Sequence, residues 1–266
     1  MLRDLFIPQS WSKSVQMFFG IALENWVRYA LVAAVAWLLA YVIFKKRWWR
    51  RKIIQRDPAA ADVRREMKWS VLTAFVYGFV GVATILIGKT YGWQMYRKID
   101  SHGWAWFVTS IGIAIVVHDT WFYWTHRLMH HRRLFKLFHR VHHESTNPSP
   151  WAAYSFAPLE AFMQACIFPL LVFTVPMHPL AFFAFMVWQI VFNVSGHAGF
   201  EYFPNWLMKS WLGKLLNTPT NHIQHHEKMR GNYGLYFNYW DRLMGTNHKD
   251  YEARFHEVTT RPHTHS

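Results

Sequence analysis

Cysteine is almost absent from this 266-residue chain, whose only thiol is that of Cys166. One thiol cannot form an internal disulfide, a CxxC metal site or a cysteine-ligated iron–sulfur cluster. Because Cys166 lies within an apolar run, it is typical of a small packing residue and is a poor candidate for a haem ligand. The sequence therefore gives no indication of a disulfide framework or of haem–thiolate chemistry.

Acidic residues are the second scarcity: 15 Asp and Glu stand against 29 Lys and Arg, which gives a formal net charge of +14. Such an excess can attract nucleic acid, but here the basic residues flank apolar runs that are long enough to cross a bilayer. In that position they indicate membrane topology and contact with anionic lipids. We therefore predict a membrane partner and no nucleic-acid partner.

Apolar residues make up 52% of the chain and are concentrated in runs of membrane-spanning length. These runs occupy roughly residues 26–44, 70–87, 104–123, 159–175 and 180–194. The turn VPMHP joins the last two runs into a hairpin whose halves either span the membrane or re-enter it. The first run is long enough to span, so no cleavable signal is expected. The sequence thus predicts an all-α integral membrane protein with four to five transmembrane helices and a cytosolic helical cap.

The basic residues set the expected orientation of these spans. Ten Lys and Arg lie between Lys45 and Lys68, whereas only three lie between Gly88 and Gly103. The positive-inside rule places the more basic connection in the cytoplasm. Counting spans from that connection also places the histidine-rich segments on the cytoplasmic side. The membrane would be the inner membrane of a bacterium or the endoplasmic reticulum of a eukaryote.

Histidine is abundant, and eight of the 17 histidines fall in three short motifs. On a helix, residues three and four apart share a face, so each motif directs two or three imidazoles toward one place. Imidazole suits iron, zinc, copper or nickel. Because a structural zinc site uses four ligands and a catalytic one commonly three plus water, eight or nine histidines indicate two ions. The motifs are HRLMH (His126, His130), HRVHH (His139, His142, His143) and HIQHH (His222, His225, His226).

The third motif is framed by helix-end signals. Thr218 as N-cap, Pro219 at the first helical position and Gly231 beyond the end predict a short helix that presents these three histidines. His197, which follows the last apolar run in SGHAGFE, is a further candidate ligand. The histidine-rich segments would then converge beneath the apolar helices, where an oily substrate is favoured and water is excluded.

Carboxylates near the motifs are candidates for catalysis and for support of the ligands. Asp119 lies seven residues before His126 on the same predicted helical face, and it is the carboxylate best placed to reach a metal. The alternative for Asp119 is an ion pair with Arg127 at the helix end. For Asp241, in WDR, the favoured alternative is an ion pair packed on tryptophan. The carboxylates that could hold the second ring nitrogen of a ligand histidine are Asp119, Glu144, Glu160, Glu201, Glu227 and Asp241.

These motifs together resemble those of the sterol desaturase and fatty acid hydroxylase superfamily. The segments DTWFYWTHRLMH, LFHRVHHES, SGHAGFE, NHIQHH, NYG and WDRLMGT follow in the family's order between about Gly112 and Asn247. The resemblance implies a membrane non-haem di-iron oxygenase, with two iron ions, O2 as co-substrate and zinc as a possible substitute in purified protein. By position, the implied metal ligands are His126, His130, His139, His142, His143, His197, His222, His225 and His226.

The sequence departs from the family at one position. Many members have a further histidine where this chain has Ala157, which leaves the outer ligand set and the substrate open. His118 and His131 are additional histidines that we place outside the ligand set. The resemblance divides the chain into residues 1–103, a leader with two transmembrane helices and the basic loop; residues 104–250, a catalytic domain like that of the fatty acid hydroxylases; and residues 251–266, a polar tail.

The implied reaction is hydroxylation or desaturation of a lipid C–H bond, in a sterol, a fatty-acyl chain, a carotenoid or another lipid. Electrons must come from an external ferredoxin or cytochrome, for which the basic face is a candidate docking surface. Two other classes are weighed against this one. A histidine-rich metal transporter would place ionisable residues at mid-membrane positions, which are nearly free of them here. A non-catalytic scaffold with a metal-stabilised fold is the second alternative.

Overall fold

The computed structural model describes residues 11–262, and over that range it consists of helices joined by turns, with isolated β-bridges and no β-sheet. The predicted all-α class is confirmed. Residues 1–10 of the predicted leader and residues 263–266 of the predicted tail, including His263 and His265, lie outside the described residues.

Four helices are long and apolar enough to cross a membrane. Helix α1 spans Trp11–Trp37 and continues as a π-helical turn over Leu38–Ile43, and α3 spans Ala60–Tyr91. Helix α4 spans Gly103–Met129, and α9 spans Pro179–His197. These helices confirm the lower end of the predicted four to five spans. All four extend beyond the predicted apolar runs, because those runs mark only the most apolar part of each helix.

The remaining predicted run forms two shorter helices, α7 (Pro158–Ala165) and α8 (Ile167–Thr174). The interruption lies at Cys166, just before Pro169. A proline at position 169 has no amide hydrogen to donate to the carbonyl of Ala165, which accounts for a break at this point. The segment 158–174 therefore consists of two helices, each shorter than any of the four long helices, with an interruption at Cys166.

Short backbone pairings show which ends of the helices lie together. At one end, the amide of Ile53 in the basic loop donates to the carbonyl of Gly199 at 2.9 Å, just beyond α9. At the other end, the amide of Gln94, after α3, donates to the carbonyl of Val172 at 2.9 Å. The basic loop therefore lies at the end of the molecule where α9 terminates in His197.

A cap of short helices and turns covers this end. The second histidine motif does not lie on one continuous helix, but divides into two helical turns with His139 between them. The short elements at this end are α2 (Lys45–Trp48), α5 (Phe135–Phe138), α6 (Arg140–His143), α10 (Trp211–Leu215), α11 (Pro219–Lys228), α12 (Tyr239–Leu243) and α13 (Tyr251–Thr260), with 3-10 turns at Trp49–Arg51, Pro150–Tyr154 and Asn205–Lys209. A further 3-10 turn, Ile99–Ser101, precedes α4 at the opposite end.

The core lies where α1, α3, α7 and α9 meet the 3-10 turn that contains Tyr154. The ring of Tyr29 stacks on that of Tyr154 with centroids 4.6 Å apart, and its hydroxyl donates to the carbonyl of Trp151. The segment predicted as a polar tail also contributes packing, since Phe255 and Val258 of α13 are fully buried. Helix α13 therefore packs within the cap, against the Asn205–Lys209 turn, α11 and Ile53.

Candidate metal centre

The nine predicted ligand histidines lie in two compact groups. Within each group, one ring nitrogen of every member lies within 4.8 Å of those of the others. The five-histidine group consists of His126, His130, His139, His143 and His225. The four-histidine group consists of His142, His197, His222 and His226. All nine side chains are buried except that of His130, which is partly exposed.

Each of the two HxxHH motifs contributes histidines to both groups. In the third motif, His222 and His226 join the four-histidine group, whereas His225 joins the five-histidine group. Residues four apart share a helix face, but adjacent residues point about 100° apart. An HxxHH motif therefore suits a pair of neighbouring ions. Its first and last histidines, four residues apart, face one ion, and the histidine between them faces the other. The second motif follows the same rule, with His139 and His143 in one group and His142 in the other.

The distances between ring nitrogens are those expected around a metal ion. In the five-histidine group, the Nε2 atoms of His130, His143 and His225 lie 3.0–3.2 Å apart. In the four-histidine group, the Nε2 atom of His222 lies 2.8 Å from that of His197 and 3.2 Å from that of His226. Metal–nitrogen bonds of about 2.1 Å separate two ligands by about 3.0 Å at a right angle and about 3.4 Å at a tetrahedral angle. The observed distances of 2.8–3.2 Å are compatible with nitrogen ligands around one ion in each group.

The other ring nitrogens fix the direction in which the lone pairs point. The Nδ1 atoms of His126, His225 and His197 donate to the carbonyl oxygens of Tyr233, Gly231 and Asn193, at 2.8, 2.6 and 2.8 Å respectively. A ring that donates from Nδ1 in its neutral form has an unprotonated Nε2. Lone pairs that face one another across 3 Å repel, and a cation between them removes the repulsion. The residues present therefore fit metal ions.

Two further nitrogens support this fit. The Nε2 atoms of His126 and His139 are buried and have no hydrogen-bond partner among the described residues. The Nδ1 atom of His139 lies 2.6 Å from Oε1 of Glu160, which is the pairing expected for a metal-bound imidazole. A buried polar atom without a partner costs free energy, so an unpaired Nε2 directed into a histidine group indicates a ligand position.

Burial also keeps these rings neutral. Desolvation, with a smaller contribution from His225, lowers the pKa of His130 to about 2. Desolvation and the neighbouring rings lower the pKa values of the other cap histidines well below their usual value, as they do for His139, His142, His143, His222, His225 and His226. The neutral imidazole is the form that binds a metal, so the site is ready to bind cations at neutral pH.

A family model described as fatty acid hydroxylase matches residues 111–246, which is just over half of the chain. The chain belongs to the fatty acid hydroxylase family. The match confirms the resemblance predicted from the motifs, and it includes every candidate ligand in both histidine groups.

Three relatives extend the comparison. A Delta(7)-sterol 5(6)-desaturase of Gibberella zeae is 27% identical over 92% of this chain and 71% of its own length. The human lathosterol oxidase is 28% identical over 70% of this chain and 61% of its own length. Methylsterol monooxygenase 1 of Danio rerio is 24% identical over 97% of this chain and 92% of its own length. These names are those of oxidoreductases that act on lipids, which is the class predicted for this family member. No solved structure matches the chain.

Asp241 supports the five-histidine group in this family member from a distance. Its carboxylate oxygens accept hydrogen bonds from the amides of Tyr233 and Gly234, at 2.9 and 2.7 Å, and from the hydroxyl of Thr246 at 2.7 Å. These bonds hold the loop whose Tyr233 carbonyl accepts from His126. The ion pair favoured for Asp241 from the sequence does not form, since its neighbour Arg242 pairs with Glu252 instead.

Asp119 does not join either histidine group. Its Oδ1 atom accepts hydrogen bonds from the amides of Tyr236 and Phe237, at 2.7 and 3.2 Å. The alternative ion pair is not formed either, because the guanidinium of Arg127 lies over the ring of Trp124. Seven residues of helix separate Asp119 from His126, or about 10 Å along the axis, which explains why a shared face does not place it at the metal.

The other candidate carboxylates have separate roles. Glu201 accepts from both the amide and the hydroxyl of Thr220, at 3.1 and 2.7 Å, and so caps the helix of the third motif. Thr218 occupies the predicted N-cap position but makes no capping bond, because its hydroxyl bonds to that of Tyr251. The helix ends at Lys228, and Met229 adopts the left-handed conformation there. Glu144 lies at the surface beside Arg65 and Arg140.

Sequence reasoning missed the groups that accept from Nδ1 in three of the rings, because they are backbone carbonyls. The sequence features that point to these carbonyls are the NYG segment, which contains Tyr233, and Asp241, whose carboxylate binds the amides of that segment. The two histidines excluded from the ligand set lie apart from both groups. His118 bonds to the hydroxyl of Tyr236 at 2.8 Å, and His131 is exposed.

Proposed function

We propose that this protein is a membrane-embedded, O2-dependent di-iron oxidoreductase that hydroxylates or desaturates a C–H bond of a sterol-like lipid. The observation that supports this best is the pair of buried histidine groups, whose Nε2 atoms converge at about metal-ligand spacing at the ends of membrane-length helices. Family membership favours this function over the transporter and scaffold alternatives.

Each histidine group is proposed to hold one ion. Five and four nitrogen ligands exceed or equal the number that a closed zinc site uses, and imidazole is a suitable ligand for iron. Zinc can replace iron in purified protein, since imidazole binds both. When bound, a pair of iron ions supplies the reductive activation of O2 that an unactivated C–H bond requires.

The protein's own residues perform three tasks in this proposal. The carbonyls of Gly231 and Tyr233 and the carboxylate of Glu160 orient the ligand rings. The buried cap excludes bulk water from the centre. Exposed basic residues near the second motif, such as Arg132, Arg133 and Arg140, provide a surface for an acidic electron donor, a ferredoxin or a cytochrome.

The proposed orientation follows from the basic loop. This loop and the histidine groups lie at the same end of the helices, and the positive-inside rule assigns that end to the cytoplasm. The proposed substrate follows from the relatives, whose names specify sterols for both desaturation and monooxygenation. Hydroxylation and desaturation share the first hydrogen abstraction, so one centre is compatible with either outcome.

The test is turnover in lipid nanodiscs with iron-loaded protein, O2, a chemical reductant and a panel of sterols and acyl lipids. We expect an O2-dependent product that has gained one oxygen atom or lost two hydrogens, detected by lipid mass spectrometry. Metal-free and zinc-loaded protein serve as controls and should form no product. Failure of fully iron-loaded protein to oxidise any of these lipids would refute the proposed function.

A further inference from the structure

A pocket of about 590 Å³ lies where the first membrane helix ends and the basic loop begins. Its lining includes Arg47, Arg50 and Arg51, and we refer to it as the arginine pocket. Trp48 and Tyr202 also line it, and their rings meet edge to face with centroids 5.8 Å apart. The pocket thus combines three cationic side chains with aromatic walls.

The three guanidinium groups have uncompensated charge. Among the residues that the structure describes, none of the three forms an ion pair, whereas Lys45, which does not line the pocket, pairs with Asp57 at 2.6 Å. Burial and the neighbouring charge of Arg50 lower the pKa of Arg51. The arginines therefore repel one another, and an anion bound between them would remove that repulsion.

The carboxylate of Glu201 in the pocket lining does not supply this anion. It is 1% exposed, and its Oε2 atom accepts from the amide and the hydroxyl of Thr220 at the start of α11. Its Oε1 atom accepts from the amide of Phe203 at 3.0 Å. Its charge affects the pKa of Arg51 less than burial and Arg50 do. Glu201 is thus engaged in the cap, and the pocket remains cationic.

Backbone contacts hold one of the arginines in place. The Nη1 atom of Arg51 donates to the carbonyls of Glu201 and Phe203, at 3.2 and 2.7 Å. The carbonyl of Arg51 accepts from the amide of Glu201 at 3.0 Å. Arg47, by contrast, is exposed, and its side chain makes no hydrogen bond among the described residues. The pocket therefore pairs a fixed cation with one that can move onto a ligand.

The pocket adjoins a surface that faces lipid. Val42 and Ile43, at the end of the first membrane helix, are 61% and 55% exposed, and Arg47 follows four residues after Ile43. Trp48 stacks on Phe44 with ring centroids 4.9 Å apart. Tryptophan and tyrosine favour the head-group level of a bilayer. This position puts the arginines at the depth of lipid phosphates, with Val42 and Ile43 beside the acyl chains.

The arginine pocket is separate from the cavity at the metal centre. This cavity, of about 270 Å³, is lined by His222 of the four-histidine group and by Val191 and Phe192 of α9. None of the three arginines lines the cavity, whereas Tyr202 lines both spaces. The Tyr202 hydroxyl has no hydrogen-bond partner among the described residues and can donate to a ligand on either side. A ligand among the arginines therefore leaves the space beside His222 free.

We propose that the arginine pocket binds the phosphate group of an anionic phospholipid, with Arg47, Arg50 and Arg51 as the donors. Guanidinium groups recognise phosphate oxygens through pairs of parallel hydrogen bonds. The aromatic walls and the adjoining apolar surface favour a lipid over an acidic protein. A bound phosphate also secures the basic loop on the segment after His197, to which Arg51 already bonds. This site does not depend on the proposed reaction.

The test measures lipid binding to the full-length protein in detergent by native mass spectrometry. The probes are phosphatidylglycerol and phosphatidylcholine with identical acyl chains. We expect wild-type protein to bind phosphatidylglycerol with a Kd about tenfold lower, because the choline group brings a positive charge to the arginines. Arg47→Gln and Arg50→Gln should each raise the Kd for phosphatidylglycerol about fivefold, as loss of one charge at a membrane surface predicts.

Lys46→Gln is the matched control, since Lys46 is exposed and adjoins Arg47 but does not line the pocket. It removes the same charge from the same helical turn, and it should leave the Kd nearly unchanged. Equal weakening in Lys46→Gln and Arg47→Gln would show diffuse attraction to the membrane surface and would overturn the proposal. Equal Kd values of the two lipids for wild-type protein would also overturn it, and that comparison needs no variant.

Two further measurements separate the lipid from other anions. Inorganic phosphate should bind far more weakly than phosphatidylglycerol, because it lacks the acyl chains that lie along Val42 and Ile43. Equal affinity for inorganic phosphate would identify a soluble ligand and reject the lipid. Binding of an acidic ferredoxin that is lost in Arg47→Gln, with phosphatidylglycerol binding unchanged, would assign the pocket to the electron donor instead.

Discussion

The two histidine groups differ in ligand number, in support and in access. The five-histidine group has Nδ1 partners for three of its rings, those of His126, His139 and His225. In the four-histidine group, one ring has such a partner: the Nδ1 atom of His197 donates to the carbonyl of Asn193. The cavity reaches the second group through His222 and does not touch the first. The difference predicts that the five-histidine group retains its proposed ion more tightly and that the four-histidine group lies closer to the proposed substrate.

The largest effect should follow loss of one ligand from each group. His143→Ala and His226→Ala should each abolish lipid turnover and remove half of the bound iron, because each residue serves one ion. Iron per protein, measured by mass spectrometry, and product yield test this. His131→Ala, at an exposed histidine outside both groups, should retain both properties. Full iron content in either ligand variant would contradict the assignment of that residue.

Acidification should produce the next largest effect. The cap histidines have pKa values below about 6.5 in the folded protein, whereas they titrate near 6.5 when unfolded. Below pH 6.5 these histidines therefore bind protons in the unfolded chain but not in the folded chain. Their contribution to the free energy of unfolding is complete above that pH and decreases as the pH falls. The slope approaches about 1.4 kcal/mol per pH unit for each such histidine.

Thermal unfolding of metal-free protein between pH 7.5 and 5.5 would measure this loss. In the metal-loaded protein, protons compete with the ions, so acid should release metal. The four-histidine group should release its ion first, since it has fewer ligands and is open to the cavity. Unchanged melting temperatures over this range, or release of both ions in one step, would contradict the comparison between the groups.

Substitution of Glu160 should weaken only the five-histidine group. The carboxylate holds the Nδ1 atom of His139, and removal of such a partner typically lowers metal affinity 10- to 100-fold. We expect Glu160→Ala to approach the upper limit and Glu160→Gln, which retains an acceptor, the lower one. Glu144→Gln, at a surface carboxylate, is the control. Equal loss of both ions on titration with a chelator would show that the groups are not independent.

The sequence was sufficient for the parts of this architecture that depend on local spacing. Apolar runs predict membrane helices because lipid requires them, and the HxxHH spacing brings histidines onto adjoining faces. It was insufficient where distant segments meet. The shared face of Asp119 and His126 suggested a metal contact, but the rise of the helix separates them, and Asp119 instead holds residues 236 and 237. The start of the third-motif helix at Pro219 was predicted correctly, but not its capping bond, which Glu201, remote in sequence, supplies in place of Thr218.

The smallest effect should follow substitution of Asp241, which acts on the five-histidine group through two intermediates. Asp241→Asn replaces one of two acceptor oxygens with a donor, which would face the amide of Tyr233 or Gly234. The loop must then shift, and the Tyr233 carbonyl moves away from His126. Because the imidazole itself remains, metal affinity should fall by less than tenfold, as expected for one weakened hydrogen bond.

Asp250→Asn is the matched control, since Asp250 pairs with Lys228 at the surface and supports no loop of the centre. A chelator titration that resolves the two ions should show weakening of one ion in Asp241→Asn and of neither in Asp250→Asn. If Asp241→Asn instead weakened both ions equally, the loop would support the whole centre, and the contrast between a supported and an open group would have to rest on the cavity at His222 alone. Selective weakening would show that this support is specific to the five-histidine group.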